Sequence, residues 1–276
     1  MAKRNLKGRK PAPRQNFRPY RKSNSGSHDR PGRWVIGIHS VREALKVRAE
    51  AVEELWVRGD GPSTGDEKLG LKIHQFIEKF KIRPKQVSTK SLDELGSGHQ
   101  GLACRVTTSP KLDWEGLAAK EQALVLVLSE LEDPQNLGAI LRTAWLMGVD
   151  GILTSKNRAA QLTPAVSKIA CGGAEHVPIE IHTSLQRALT ILKKSGFWLY
   201  GLDAEGVIEL GQTEFSPKVA LVVGSEQRGL RSSLRGECDQ LVRIFQTEKE
   251  ASYNASVAAA LGLAEISRQQ RRLRPS

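Results

Sequence analysis

From Ala123 onward the chain alternates short aliphatic runs with stretches of helical periodicity, and that alternation leaves few folds open. Leu124-Val-Leu-Val-Leu128 contains no polar residue, so a strand formed there must be covered on both faces. Strands of that kind belong to mostly parallel sheets flanked by helices on both sides. The pattern predicts strands over Ala123–Leu128, Gly151–Thr154, His176–Ile181, Phe197–Leu202, Lys218–Val223 and Gln240–Ile244. Between and after them it predicts helices over Asn136–Met147, Pro164–Ala170, Ser184–Lys194, Ser232–Arg235 and Asn254–Arg271.

The 276 residues divide further by composition. Residues 33–108 read as a small α/β domain. Trp34–Ile38, Val52–Val57 and Gly101–Val106 suit strands. Ser40 is placed to cap a helix over Val41–Val47, with Glu43 at the capping-box position, and Lys68–Phe80 repeats apolar residues at helical spacing. Residues 109–121 read as a linker and 122–276 as the parallel-sheet domain. Residues 1–32 have few aliphatic residues to bury, so this segment is expected to be disordered. Up to Arg33 it carries eleven positive charges against the single Asp29, which leaves only +2 of the formal net charge of +12 for the remaining 243 residues. Phe17 and Tyr20 sit among Arg14, Arg18, Arg21 and Lys22, a mixture suited to stacking on bases while meeting phosphates. The tail is therefore expected to anchor RNA.

Several classes are disfavoured. The longest apolar run is far too short to span a membrane, and no apolar segment follows the basic start as in a secretory signal. Cys104, Cys171 and Cys238 are far apart and form no CxxC pair, which suits a reducing cytoplasm rather than a disulfide scaffold or zinc site. No metal-ligand spacing appears among the six histidines, so no metal is expected. The glycine-bearing loop Gly224–Gly229 is not GxGxxG, and GxxxxGK[ST] does not occur in the chain, which argues against a dinucleotide oxidoreductase and a P-loop NTPase.

Three polar islands then stand out, each at the edge of an apolar segment. Asn136-Leu-Gly-Ala-Ile-Leu-Arg142 opens a helix after the first parallel strand, where free backbone N–H groups and an arginine fork suit a phosphate or carboxylate. Asn136 is the candidate N-cap. Leu221-Val-Val-Gly-Ser-Glu-Gln-Arg-Gly-Leu230 is a buried strand followed by a loop beyond its carboxyl end, the usual place for a ligand in an open α/β sheet. Gly224 and Gly229 allow close approach or positive φ there, and Glu226 can accept from an amine or a ribose hydroxyl. Ser252-Tyr-Asn-Ala-Ser-Val-Ala258 precedes the last helix, which Ser252 or Asn254 could cap.

In this order and spacing the islands resemble the three signature motifs of the SpoU (TrmH-type) RNA 2′-O-ribose methyltransferases. Lys168-Ile-Ala-Cys-Gly-Gly-Ala-Glu-His-Val-Pro178 is similar to the stretch between the first two motifs. Gly37-Ile-His-Ser-Val-Arg-Glu-Ala-Leu45 and His99-Gln-Gly-Leu-Ala103 resemble the start and end of the small substrate-binding domain of many members. The resemblance implies an α/β SPOUT fold with a C-terminal trefoil knot, S-adenosylmethionine as cofactor, a homodimer, and methyl transfer to a ribose 2′-hydroxyl of ribosomal RNA, with transfer RNA next. It implies cofactor loops around Val223, Gly224, Gly229, Ile244 and Tyr253, and a catalytic set of Asn136, Arg142, Glu226, Ser252 and Asn254. In the family Arg142 is the proposed base. A guanidinium ordinarily titrates above about 12, so orientation of the hydroxyl and stabilisation of the developing alkoxide suit it better.

The chain departs from the family pattern twice. Ile244-Phe-Gln246 stands where Ile-Pro-Met is usual, and Ser252-Tyr-Asn254 where Ser-Leu-Asn is usual. Both departures fall on cofactor loops. They motivate a competing reading, a non-catalytic RNA-binding or ribosome-assembly factor on the same fold.

Overall fold

The computed structural model describes residues 32–59, 74–75, 77–225, 228–248 and 251–273. Arg14, Arg18, Arg21 and Lys22 lie outside the described residues, as does Glu226. Two sheets organise the chain. The first runs β1 (Arg33–Ile36), α1 (Ile38–Arg48), β2 (Val52–Arg58), β3 (Pro84–Val87), α2 (Thr89–Asp93) and β4 (Leu102–Val106). Its strand order is β1-β4-β2-β3, antiparallel except for the β2–β3 pair.

The second sheet follows α3 (Trp114–Ala119). Its elements are β5 (Ala123–Leu128), α4 (Pro134–Leu146), β6 (Gly151–Ser155), α5 (Pro164–Ala170), α6 (Gly173–His176), β7 (Ile179–His182), α7 (Leu185–Lys194), β8 (Trp198–Leu202), β9 (Ile208–Glu209), β10 (Lys218–Val223), α8 (Ser232–Arg235), β11 (Gln240–Arg243) and α9 (Ala255–Leu273). The order is β7-β6-β5-β10-β8-β11-β9, and every pair is parallel.

β5 shows why the sequence folds this way. Strand side chains alternate between faces. Leu124, Leu126 and Leu128 join Ile140, Leu141, Leu263 and Ile266 in one core, while Ala123, Val125 and Val127 join Leu185, Leu189 and Leu192 in the other. Each face receives its own helices, α4 and α9 on one side and α7 on the other. A strand with polar residues on either face could not occupy this central place.

Several elements differ from the sequence expectation. The linker expected at 109–121 contains α3, which Asp113 caps and whose Leu117 enters the α7-side core. His176 ends α6 and does not begin a strand; β7 starts at Ile179. β3, α2 and β9 escaped notice because they are short and weakly patterned. Of the helix expected over Lys68–Phe80, residues 74–75 and 77–79 are helical and 68–73 lie outside the described residues. Ser40 does not cap α1, which begins at Ile38 after Gly37. Its hydroxyl instead donates to the Ser167 carbonyl of α5 at 2.8 Å.

That bond belongs to a polar joint between α1 and the second sheet. Glu175 is fully buried, and Arg33 (2.6 Å) and Arg48 both pair with it. Next to it, His176 bonds the buried Glu43 at 2.9 Å and stacks on Trp145 at 4.3 Å between ring centroids. Removing one partner from such a buried pair commonly costs about 3–5 kcal/mol, because a charge is left without compensation. Behind the joint α6 lies hard against α4: a Cβ on Gly173 would stand 2.4 Å from the Leu141 carbonyl oxygen. The joint thus sets the position of the helix that carries Arg142.

Burial pushes the Glu43 carboxyl up, but the bonds from His176 and Arg42 and the charges of Arg42 and Lys46 outweigh it, and the net shift is downward. A carboxylate held below its ordinary value, about 4.3, adds stability that is complete above that value and lost as pH falls through the lowered one. Denaturant unfolding followed from pH 6 to pH 3 is therefore expected to show a steeper acid loss for the wild type than for Glu43→Gln. Equal slopes would show that Glu43 carries none of the acid sensitivity.

Candidate active site

Because all strands of the second sheet run parallel, their carboxyl ends share one edge, where ligands of open α/β sheets collect. A cavity of about 410 Å³ opens there beyond β10, β8 and β11. Its apolar walls are Leu202, Val223, Leu230, Ile244, Ala255 and Ala258; its polar rim includes Asp203, Glu205, Ser225, Arg228, Arg235, Ser252 and Tyr253. The volume falls in the range of small-molecule sites, about 300–1,000 Å³. Val223, Gly224, Gly229, Ile244, Ser252 and Tyr253, all named from sequence, line this one cavity.

The loop after β10 is shaped by its glycines. Ser225 and Gly229 exchange backbone hydrogen bonds of 3.1 and 3.0 Å, and the Arg228 N–H donates to the Ser225 hydroxyl at 3.2 Å. Gly229 sits at φ +61°, and a Cβ on Gly224 would lie 2.2 Å from the Gly229 carbonyl. Gly224 is therefore required by the loop's closure on itself.

The second wall is the segment after β11. Here the two departures from the family pattern acquire a structural role. The Tyr253 hydroxyl donates to the Phe245 carbonyl at 2.9 Å, and the Gln246 amide donates to the Ala251 carbonyl at 3.0 Å. The unusual residues thus brace the segment that they alter. Asn254 is the cap of α9, its side-chain Oδ1 accepting from the Ser256 N–H (2.9 Å), the Ser256 hydroxyl (2.6 Å) and the Val257 N–H (3.4 Å).

A second cavity of about 600 Å³ adjoins the first, sharing Ser225 and Arg228. It brings together Asn136, from the first island, and Asn254, from the third. Asn136 is buried but is not the N-cap of α4; Asp133 takes that role, accepting from the Gln135 N–H at 2.8 Å. Pro134 at the first helical position explains why the helix starts earlier than expected. Arg142 lines neither cavity. Six residues past Asn136, it lies about 9 Å further along the helix and about 240° around it. It is exposed, and among the described residues no hydrogen bond or ion pair engages it. Neither Cys104 nor Cys238 offers a nucleophile: burial drives the Cys104 thiol well above its usual range, and burial followed by the Asp239 charge pushes Cys238 up to about 12.

Sequence reading missed Asp203 and Glu205. Arg235 pairs with both, at 3.6 and 2.9 Å. Their signal was available, since Asp203-Ala-Glu-Gly206 directly follows the carboxyl end of a strand. Only the strand order, with β8 beside β10, brings that loop to the cavity.

Comparison with known proteins agrees with this architecture. A family model described as the SpoU rRNA Methylase family matches residues 123–264, and one described as RNA 2′-O ribose methyltransferase substrate binding matches residues 34–112. The chain is 38% identical over 243 residues to the 23S rRNA (guanosine-2′-O-)-methyltransferase RlmB of Shewanella oneidensis, covering 86% of this chain and 97% of that protein. It is 36% identical to the protein of the same name from Xylella fastidiosa, covering 88% and 98%. Among solved structures, the SpoU methyltransferase AviRb from Streptomyces viridochromogenes superposes with a TM-score of 0.73 at 21% identity, over 88% of this chain and 91% of that one. The same protein in complex with the cofactor AdoMet gives 0.71 at 22% identity, over 87% and 91%. The chain therefore belongs to the SpoU rRNA methylase family, and its fold is that of a SpoU methyltransferase preceded by a substrate-binding domain.

If the Tyr253 hydroxyl holds the cavity wall in place, Tyr253→Phe weakens S-adenosylmethionine binding in calorimetry by about 2- to 12-fold, the equivalent of one hydrogen bond worth ~0.5–1.5 kcal/mol. Unchanged affinity would show that the brace has no part in the site.

Proposed function

We propose that this protein transfers the methyl group of S-adenosylmethionine to a ribose 2′-hydroxyl of RNA, with a guanosine of 23S ribosomal RNA as the target. The observation that carries the reading is the convergence of three separated motifs on two adjoining cavities at the carboxyl edge of the parallel sheet. The chemistry of the first cavity fits the cofactor. Apolar walls from Leu202, Val223, Ile244 and Ala258 can hold a heterocycle, Asp203 and Glu205 can accept from hydroxyl or ammonium groups, and Arg228 can meet a carboxylate. When bound, the cofactor supplies an electrophilic methyl group on a sulfonium.

The chain's own residues must then hold the target hydroxyl in line and accommodate the charge that develops as its proton leaves. Asn136 and Asn254 sit beside the cofactor cavity and can orient the incoming ribose. Arg142 faces away, and its neighbourhood supports completion of the site by a second copy of the chain. Leu146, on the same helix, is 65% exposed, and Val257 and Leu261 are exposed on α9, which packs against α4. Apolar groups left outside in this way mark a surface that a partner covers. In this reading the protein is a homodimer, Arg142 reaches the other subunit's target ribose, and its guanidinium stabilises the alkoxide and the adjacent phosphate. Glu226 completes the catalytic set. The family resemblance implies a knotted threading of the C-terminal segment. No described helix is long and apolar enough to cross a membrane. Action on ribosomal RNA gives a cytoplasmic protein, and the basic residues Arg14, Arg18, Arg21 and Lys22 add an RNA-anchoring arm.

Incubation with radiolabelled S-adenosylmethionine and unmodified 23S ribosomal RNA tests the reading. Wild-type protein is expected to label the RNA. Arg142→Ala is expected to lower transfer by at least about 100-fold, the scale of a lost charge-stabilising group, while cofactor affinity stays within twofold. A fully active Arg142→Ala protein would remove the role given to this residue.

A further inference from the structure

The carboxyl edge of the sheet holds a third cavity, of about 360 Å³, beyond the ends of β5, β6 and β7. It shares Glu130 and Arg158 with the cavity containing Asn136, which in turn shares Ser225 and Arg228 with the cofactor cavity. The three form one continuous trench. From Ser225, after β10, to Ser184, after β7, it crosses three strand spacings of about 4.8 Å, roughly 14 Å in all. Each strand of a duplex carries a phosphate about every 3.4 Å of axis, so the trench has the reach of several phosphates.

The far end of the trench is built around one carboxylate. Glu130 is 9% exposed, and both Arg231 and Arg158 (3.6 Å) converge on it. Glu130 stands at φ +56° and Arg158 at φ +53°, a left-handed conformation rarely adopted by residues with side chains and found disproportionately at functional sites. The two guanidinium groups are each about half exposed, so their remaining N–H donors are open to the trench. Lys156, also on the lining, is exposed and has no ion-pair partner among the described residues. At this end of the trench three cations thus face one carboxylate, while Glu132 and Asp133 line its middle. Among the described residues no aromatic side chain lines this cavity, so they offer no plate on which a base could stack. Its chemistry is that of a backbone contact, charged and indifferent to sequence.

We propose that this trench carries the sugar–phosphate backbone of the RNA next to the target nucleotide, with Lys156, Arg158 and Arg231 meeting its phosphates and Glu130 holding the two arginines toward them. The proposal rests on the reading of the adjoining site as an RNA methyltransferase centre. It assigns the parallel-sheet domain an RNA contact of its own, separate from the preceding substrate-binding domain and the basic tail.

The test uses the full-length protein with two variants. Lys156→Glu breaks no described ion pair. Arg158→Gln combined with Arg231→Gln keeps amide donors toward Glu130. Binding to an unmodified 23S ribosomal RNA fragment is measured across salt concentrations. Affinity is expected to fall several-fold in the first variant and at least tenfold in the second. The slope of log affinity against log salt should flatten by about 0.7–0.9 for each cation removed. S-adenosylmethionine affinity should stay near wild type in both variants and thermal stability in Lys156→Glu, while the double variant, which leaves the Glu130 carboxylate without a charged partner, is compared below its own unfolding transition. Unchanged RNA affinity and slope in stable variants would overturn the proposal. So would a loss that persists with a mononucleotide carrying only the target ribose, because the cations would then act at the target itself. Wild-type protein that binds the fragment but methylates no RNA would refute the proposed activity, while a salt slope lowered in the variants would still support the trench.

Discussion

The parallel pairing of β5 with β10 is the constraint on which the site depends. Lys218 pairs with Ala123 and Val223 with Leu128, so the two strands end level at the carboxyl edge. Their ends launch the segment leading to α4 and the Ser225–Gly229 loop, which carry the first and second motifs. Parallel neighbours need a crossover connection, and the residues between these strands in sequence build β6, β7, β8 and β9. A one-residue slip would move Leu124, Leu126 and Leu128 to the wrong face and also separate Asn136 from Ser225. Packing and site geometry are therefore set by the same register.

Within that frame the walls of the cavity are short segments held by their own hydrogen bonds. The Ser225–Gly229 loop closes through backbone bonds and needs glycine at both Gly224 and Gly229. The segment after β11 is braced by Tyr253 and Gln246, which stand where the family usually carries Leu and Met. Such loops keep ligand-facing groups in place without a large core, and sequence change in them can be absorbed by a new bond. This favours a working methyltransferase over the non-catalytic reading that the same departures suggested.

Much of this was legible in the sequence because the signals were local. The central strands announced themselves through all-apolar runs, Gly224 and Gly229 through their place beyond a strand end, Ser252 through its place before the last helix, and Val223, Ile244 and Tyr253 through the family resemblance. Features that depend on strand order or on distant partners were not legible. Asp203 and Glu205 reach the cavity only because β8 lies beside β10. Glu43 and Ser40 looked like ordinary helix-start residues, yet they bond His176 and Ser167, more than a hundred residues away. Asn136 had the chemistry of a cap, but Asp133 and Pro134 just before it start the helix first. That Arg142 and Asn136 face different ways in one subunit follows from their six-residue spacing on one helix, so this part was legible.

Nucleoside mass spectrometry after reaction with S-adenosylmethionine is the most direct test of the central claim. Unmodified 23S ribosomal RNA and transfer RNA are treated in parallel, digested to nucleosides and compared with untreated controls. The account predicts a new 2′-O-methylguanosine from the ribosomal RNA. A methyl group found on a base, or no methylated product from either RNA despite tight binding, would contradict it.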